Sequence, residues 1–273
     1  MYNSVFARYY DSLTANVNYP ARAKYFDRLI KKVSKGCAGN ILLDLACGTG
    51  SLSWRFAAMG YQVIGVDAST DMLAAATAKA GETELPEGVA PPLFLCQSMQ
   101  ELDLYGSIDA CVCALDSINH LPNFSAVKAV FGGVALFLAP GGVFVFDVNT
   151  SHKHKNILAD NAFVYKTGDR AICLWQNTYH PKNDRVDVSL DFFTPQGPGL
   201  YRRETQQLSE RIFTHRQLQG ALGAAGLRLL AVYEENTMRL PGKQAQRVVY
   251  MAQKLPVDSE GKTHRIGRIL SHK

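Results

Sequence analysis

The sequence predicts an α/β fold: a largely parallel sheet with helices on both faces, carrying an antiparallel β insertion. Three observations lead there. Short apolar runs alternate with amphipathic segments from residue 40 to 150, the order that produces parallel strands covered on both sides. From 163 to 213 the period drops to two, with turn-rich breaks, as antiparallel hairpins require. The 273 residues are 47% hydrophobic and 19% charged. That composition buries a sizeable core and excludes a disordered chain, a collagen-like repeat or a disulfide mini-protein.

The elements follow in order. Residues 21–35 place apolar side chains among Arg and Lys at helical spacing. NILLDLA (40–46) is a buried strand running into CGTG, and SLSWRFAAMG (51–60) is a helix stopped by Gly60. YQVIGVD (61–67) is the next strand, and Ser69 or Thr70 caps a helix to about Lys79. PLFLCQ (92–97) and SIDACVCALDS (107–117) are strands, and a helix spans 123–138. PGG (140–142) reads as a turn before the strand VFVFDVN (143–149). CLWQNTYH, RVDVSLDFF and LYRRETQQLSERIF, broken by PKND and TPQGPG, give an insertion of three or four strands. Thr214 caps a helix over 214–226, and 227–235 and 246–254 are two more strands. The polar tail from Leu255 is expected to be mobile.

The net charge of +5 is concentrated at the end, where Lys262, Arg265, Arg268 and Lys273 face no acid. No basic stripe precedes them, which argues against nucleic-acid binding. Cysteines at 37, 47, 96, 111, 113 and 173 form no C-x-x-C pair and have no matching His spacing. They are expected to be reduced core thiols in a cytoplasmic protein, with no metal site. No apolar run is long enough to span a membrane, and the charged N-terminus is unlike a secretory leader.

The sharpest motif is Asp44-Leu45-Ala46-Cys47-Gly48-Thr49-Gly50 between a strand and a helix. Small residues at 46, 48 and 50 admit a ligand close to the backbone, and the helix that follows offers free N–H groups. The loop lies at the carboxyl end of a parallel strand, where such sheets bind ligands. A dinucleotide fingerprint needs glycine at position 53, and Ser53 stands there. Asp67, ending the next strand, is placed to accept hydrogen bonds from the hydroxyls of an adenosine ribose. The competing reading is a turn or helix-capping Asp.

LDLACGTG, VIGVDAS with DML four residues on, and LAPGGVFVFD together resemble the class I S-adenosylmethionine-dependent methyltransferases over about residues 40–150. The resemblance implies a Rossmann-like seven-stranded, mostly parallel sheet with a reversed last strand, and S-adenosylmethionine as cofactor. It places Ala46, Gly48 and Gly50 beside the methionine part, after Asp44, and Asp67 on the ribose. Met72 would pack on adenine, with plain core packing as the alternative. Ser98 and Met99 match the segment at the adenine edge.

A closer similarity is to small-molecule N-methyltransferases, including those acting on sugar amines. It rests on Tyr10-Asp11, Tyr19 and the run Leu115-Asp116-Ser117-Ile118-Asn119-His120-Leu121. It implies an N-terminal helical lid over 1–35 whose tyrosines reach the cofactor, and a histidine, His120, near the methyl acceptor as base. Leu115 is counted with the cofactor residues, and Asp116 and Asp147 with the catalytic ones as carboxylates able to hold a cationic transition state. Tyr179, Arg203, Glu204, Glu210 and Arg211 are candidates for the acceptor pocket. The expected organisation is a lid (1–35), a cofactor domain (36–150 and 214–254), an acceptor cap (151–213) and a basic tail (255–273). The expected activity is methyl transfer to a small molecule, at nitrogen. The rivals are an RNA or protein methyltransferase, an NAD-dependent oxidoreductase and a catalytically silent cofactor binder. Oligomeric state is not readable from the chain.

Overall fold

A computed structural model describes residues 3–33, 40–167 and 170–255. The boundary placed at 35/36, Cys37 and the tail beyond 255 lie outside those residues. Two helices open the chain, α1 (Ser4–Leu13) and α2 (Tyr19–Val33). Asn3 caps α1 by accepting from the Phe6 amide, a helix that the sequence reading had not resolved separately. Then come β1 (Ile41–Leu45), α3 (Ser51–Ala58), β2 (Gln62–Asp67), α4 (Thr70–Ala78), β3 (Leu93–Cys96), β4 (Ile108–Cys113), α5 (Phe124–Phe137) and β5 (Leu138–Asn149). The insertion holds β6 (Ala162–Lys166), β7 (Ile172–His180), β8 (Arg185–Gly197) and β9 (Leu200–Arg211). α6 (His215–Ala224), β10 (Leu227–Glu234) and β11 (Arg247–Lys254) complete the described part. Thr214 and Gln217 form a capping box on α6.

The seven-stranded sheet has the order β10-β11-β5-β4-β1-β2-β3. β1, β2, β3, β4 and β5 run parallel, and β11 runs against both of its neighbours. The insertion is a separate antiparallel sheet, β6-β7-β8-β9. α2 and α3 cover one face of the larger sheet through Phe26, Leu29 and Phe56. α5 and α6 cover the other through Phe131 and Leu218, with Phe131 5.5 Å and 5.0 Å from the rings of Phe144 and Phe146. A third cluster joins α1, Met72 of α4 and β8, where Tyr9 stacks on Phe192 at 5.5 Å. Among the described residues no helix is long and apolar enough to cross a membrane.

The expected turn at Pro140-Gly141-Gly142 is instead absorbed into β5 as a bulge. The pairing with β4 jumps from Ile108–Leu138 to Ala110–Val143. A Cβ on Gly142 would lie 2.8 Å from the Ala139 carbonyl and 3.0 Å from that of Asp109, so the backbones close up only because the side chain is absent.

Gly65 on β2 has a similar role beneath the cofactor loop. A Cβ there would meet the Phe94 ring at 2.6 Å and Cys47 Sγ at 3.1 Å. Gly65→Ala is expected to cost about 1–3 kcal/mol by overpacking. Thermal unfolding measures this, and an unchanged Tm would refute the close-approach argument.

Candidate active site

The first wall of the site is the loop after β1. Ala46, Gly48 and Gly50 have φ of 59°, 54° and 69°. Left-handed backbone is cheap at the two glycines and strained at Ala46. The loop is tied to β2: the Cys47 amide donates to the Val66 carbonyl at 2.9 Å, and the Gly48 amide to Asp67 Oδ2 at 2.9 Å. It is latched from outside by Lys79, whose Nζ reaches the Thr49 carbonyl at 2.9 Å, Ser51 Oγ at 2.8 Å and Asp11 Oδ2 at 2.7 Å. Asp11 also accepts from the Thr49 hydroxyl at 2.6 Å, so α1 closes over the loop.

Between them lies a crevice lined by Tyr10, Tyr19, Asp44, Ala46, Leu115 and Ser117, with Cys47 and Thr49. Five residues expected at the cofactor thus share one cavity: Tyr10, Tyr19, Asp44, Ala46 and Leu115. Gly48 adjoins it, since a Cβ there would approach the Tyr10 ring at 3.9 Å. The bare side of Gly50 faces Ala76 and Phe94, each 2.9 Å from where its Cβ would stand. Asp67 is nearly buried and also accepts from the Ser69 amide at 2.9 Å. Met72 is fully buried against α1 and the insertion, the core packing given as its alternative. Ser98 caps the short turn Met99–Glu101 through the Gln100 amide, and Met99 packs on the main core. The structure does not bring Gly50, Asp67, Met72, Ser98 or Met99 to the crevice lining.

The second wall follows β4. Leu115 and Asp116 are consecutive non-glycine residues at φ of 57° and 55°. Asp147 accepts both of their amides, at 3.0 Å and 2.7 Å. It is wholly buried between Arg247 (2.7 Å) and Arg22 (3.3 Å). Burial alone would raise its pKa, but the two guanidiniums hold it below the ordinary carboxylate value. Glu235 forms ion pairs with both arginines. Asp147 therefore holds the turn rather than presenting an oxygen to an acceptor.

Ser117–His120 is a short 3₁₀ turn that begins at the crevice-lining Ser117 and ends at His120. Single ligand atoms of Asp116, His120 and Glu210 all lie within 4.8 Å of one another. His120 Nδ1 stands 3.2 Å from the Ser209 carbonyl. Asp116 is paired with Arg247 Nη2 at 2.5 Å, yet burial pushes its pKa up. Glu210 meets His154 Nε2 and Asn149 Nδ2, each at 2.9 Å. Against its burial, the bond from His154 holds Glu210 down at about 2. Lys153 donates to Asn149 Oδ1 at 2.9 Å, and burial lowers its pKa. Of the insertion candidates, Glu210 joins this cluster, whereas Arg203 pairs with Asp191 and Tyr179 with Asp184. Sequence reasoning missed Arg22, His154, Glu235 and Arg247, for which no local motif exists.

The crevice suits a cationic ligand. Burial, then the charge of Asp67, pushes Asp44 up to about 6 against the 2.6 Å bond from Ser53, and burial also raises Asp67. Among the described residues neither carboxylate has a basic side chain as an ion-pair partner. A sulfonium with an ammonium group would supply the positive charge that Asp44 on the crevice wall lacks.

Comparison with known proteins agrees. Residues 42–142 match the methyltransferase domain family. The candidate methyltransferase YqeM of Bacillus subtilis is 31% identical over 250 residues, covering 91% of this chain and 96% of its own. An S-adenosylmethionine-dependent methyltransferase from Clostridium acetobutylicum superposes with a TM-score of 0.76 at 27% identity, over 91% of this chain and 97% of that one. The sugar N-methyltransferase KedS8 of Streptoalloteichus shares the fold, with a TM-score of 0.69 at 21% identity over 88% and 91%. The glycine loop, the acid-walled crevice and these relatives converge: the chain belongs to the class I S-adenosylmethionine-dependent methyltransferases, and S-adenosylmethionine is its cofactor.

Proposed function

We propose that the enzyme transfers methyl to nitrogen on a small, amine-bearing acceptor, with His120 as base. The observation that carries this is the Asp116–His120–Glu210 cluster, two of whose members lie on the segment that also supplies the crevice residues Leu115 and Ser117. The bound cofactor supplies an activated methyl on a positively charged sulfur. In this reading Tyr10, Tyr19 and Asp44 hold its amino-acid end, Ala46 and Gly48 let it approach the backbone, and Asp67 takes the ribose. The insertion 151–213 covers the acceptor.

An amine attacks only when neutral, so a nearby proton acceptor is needed. The Ser209 carbonyl facing His120 Nδ1 has no proton to give. The proton is therefore assigned to Nδ1, and in this reading Nε2 is the atom that takes up the acceptor's proton. The carboxylates of Asp116 and Glu210 then stabilise the imidazolium. The fold likeness to KedS8, a sugar N-methyltransferase, supports the class of acceptor.

The test is a mass-gain screen with labelled cofactor against amines, sugar nucleotides, phenols and RNA. Methylation of amines is expected, and exclusive labelling of phenols or RNA would overturn the reading. His120→Ala is expected to lower kcat by about 10²–10⁴-fold, the usual worth of a positioned base. Cofactor affinity in calorimetry should stay the same.

A further inference from the structure

We infer that Asp147 is a positioning residue that keeps the Leu115–Asp116 turn left-handed, and that Arg22 of the N-terminal helix α2 helps to set that turn through it. The inference concerns methyl transfer itself and does not depend on which atom of the acceptor is methylated.

Two adjacent side-chain-bearing residues at φ of 57° and 55° are strained. Such backbone persists only where its surroundings over-determine it, and it gathers at functional sites. Here the determinant is visible. Each oxygen of the Asp147 carboxylate takes one amide of the turn, Oδ2 that of Leu115 at 3.0 Å and Oδ1 that of Asp116 at 2.7 Å. Each oxygen also meets one guanidinium, Oδ2 that of Arg22 and Oδ1 that of Arg247. The carboxylate is fully buried, so its charge is supported by the two cations beside it. The consequence reaches the ligand directly, because Leu115 and Ser117 on either side of Asp116 both line the cofactor crevice. Arg22 brings in the N-terminal part of the chain. α2 begins at Tyr19, another crevice residue, so one helix both contributes to the crevice lining and, through Arg22, reaches the carboxylate that holds the turn.

Asparagine at 147 has one acceptor oxygen for two amides and presents an NH₂ group to the second, so the turn should relax. The probe is S-adenosylmethionine titrated calorimetrically into the full-length protein, together with hydrogen exchange at the Leu115 and Asp116 amides. Asp147→Asn is expected to weaken binding by about 10–100-fold and to speed exchange at both amides, as the loss of one or two charge-assisted bonds implies. Leu115→Gly removes the conformational penalty at 115. If the turn is the point of action, Leu115→Gly should recover about tenfold in affinity in the Asp147→Asn background, although alone it weakens binding. Effects that simply multiply would overturn the inference. Arg22→Met should raise exchange at the same two amides by at least about tenfold, with Arg22→Lys restoring part of the protection. Unchanged exchange in Arg22→Met would remove Arg22 from the device. Should Asp147→Asn fail to fold, the Arg22 arm decides alone: protected amides refute the coupling and deprotected ones support it.

Discussion

Asp67→Asn is expected to weaken S-adenosylmethionine binding by about 100-fold, with a lower Tm. The side chain works in two directions. Towards the protein, its two oxygens receive the Gly48 and Ser69 amides, both at 2.9 Å. Towards the ligand, it is the acid at the end of β2 proposed to take the ribose. An amide at this nearly buried position keeps one oxygen and sets an NH₂ against a backbone N–H, which releases one side of the glycine loop. Losing charge-assisted bonds worth about 1.5–3 kcal/mol each, with two at stake, gives the stated magnitude. Calorimetry and melting of the variant test it. Wild-type affinity in Asp67→Asn would remove both the ribose role and the loop argument.

Cofactor affinity is also expected to rise as pH increases from about 4 to about 6, and then to level off. The group responsible is Asp44, whose ordinary pKa of 3.8 is moved to about 6 by burial and by Asp67, against the bond from Ser53. The sign follows from which form each state prefers. The free protein keeps Asp44 protonated below about 6, whereas a cationic ligand favours the carboxylate, so binding in this window releases a proton. Affinity therefore gains up to about tenfold per pH unit. The stability of the ligand-free protein changes the other way. The folded state holds this proton more tightly than the unfolded chain, so this group's contribution falls as pH rises through the same interval. Titrations at pH 5, 6 and 7, in buffers of differing ionisation enthalpy, measure both the slope and the released proton. Asp44→Asn should bind the cofactor with a flatter pH dependence, and a slope equal to the wild-type one would acquit Asp44.

The sequence was legible where a function needs a local backbone. Gly48 and Gly50 announce left-handed turns after a strand, Asp67 stands at a strand end, and Ser69, Asn123 and Thr214 cap helices through their own third neighbours. It was legible also in the two periodicities, which separated the parallel sheet from the four antiparallel strands. It was opaque where partners meet from afar. Arg22 and Glu235 lie 213 residues apart and Arg247 and Asp147 lie 100 apart, with no spacing rule to join them. Met72 shows a different limit. Helical spacing turns it inward, but whether adenine or Phe192 waits there depends on where α1 and the insertion dock. The Pro-Gly-Gly of β5 failed as a turn because a bulge uses the same residues.

The reversed strand has a consequence for how the enzyme comes into being. β11 lies between β5 and β10 in the sheet, although among the described strands it comes last in the chain. A nascent chain halted before residue 247 lacks Arg247, and β5 still shows a bare hydrogen-bonding edge. In such a fragment the carboxylate at 147 lacks one of its two counter-ions. The crevice wall that it braces is therefore completed only once β11 has been made, and fragments that end before it should be inactive and prone to stick edge to edge.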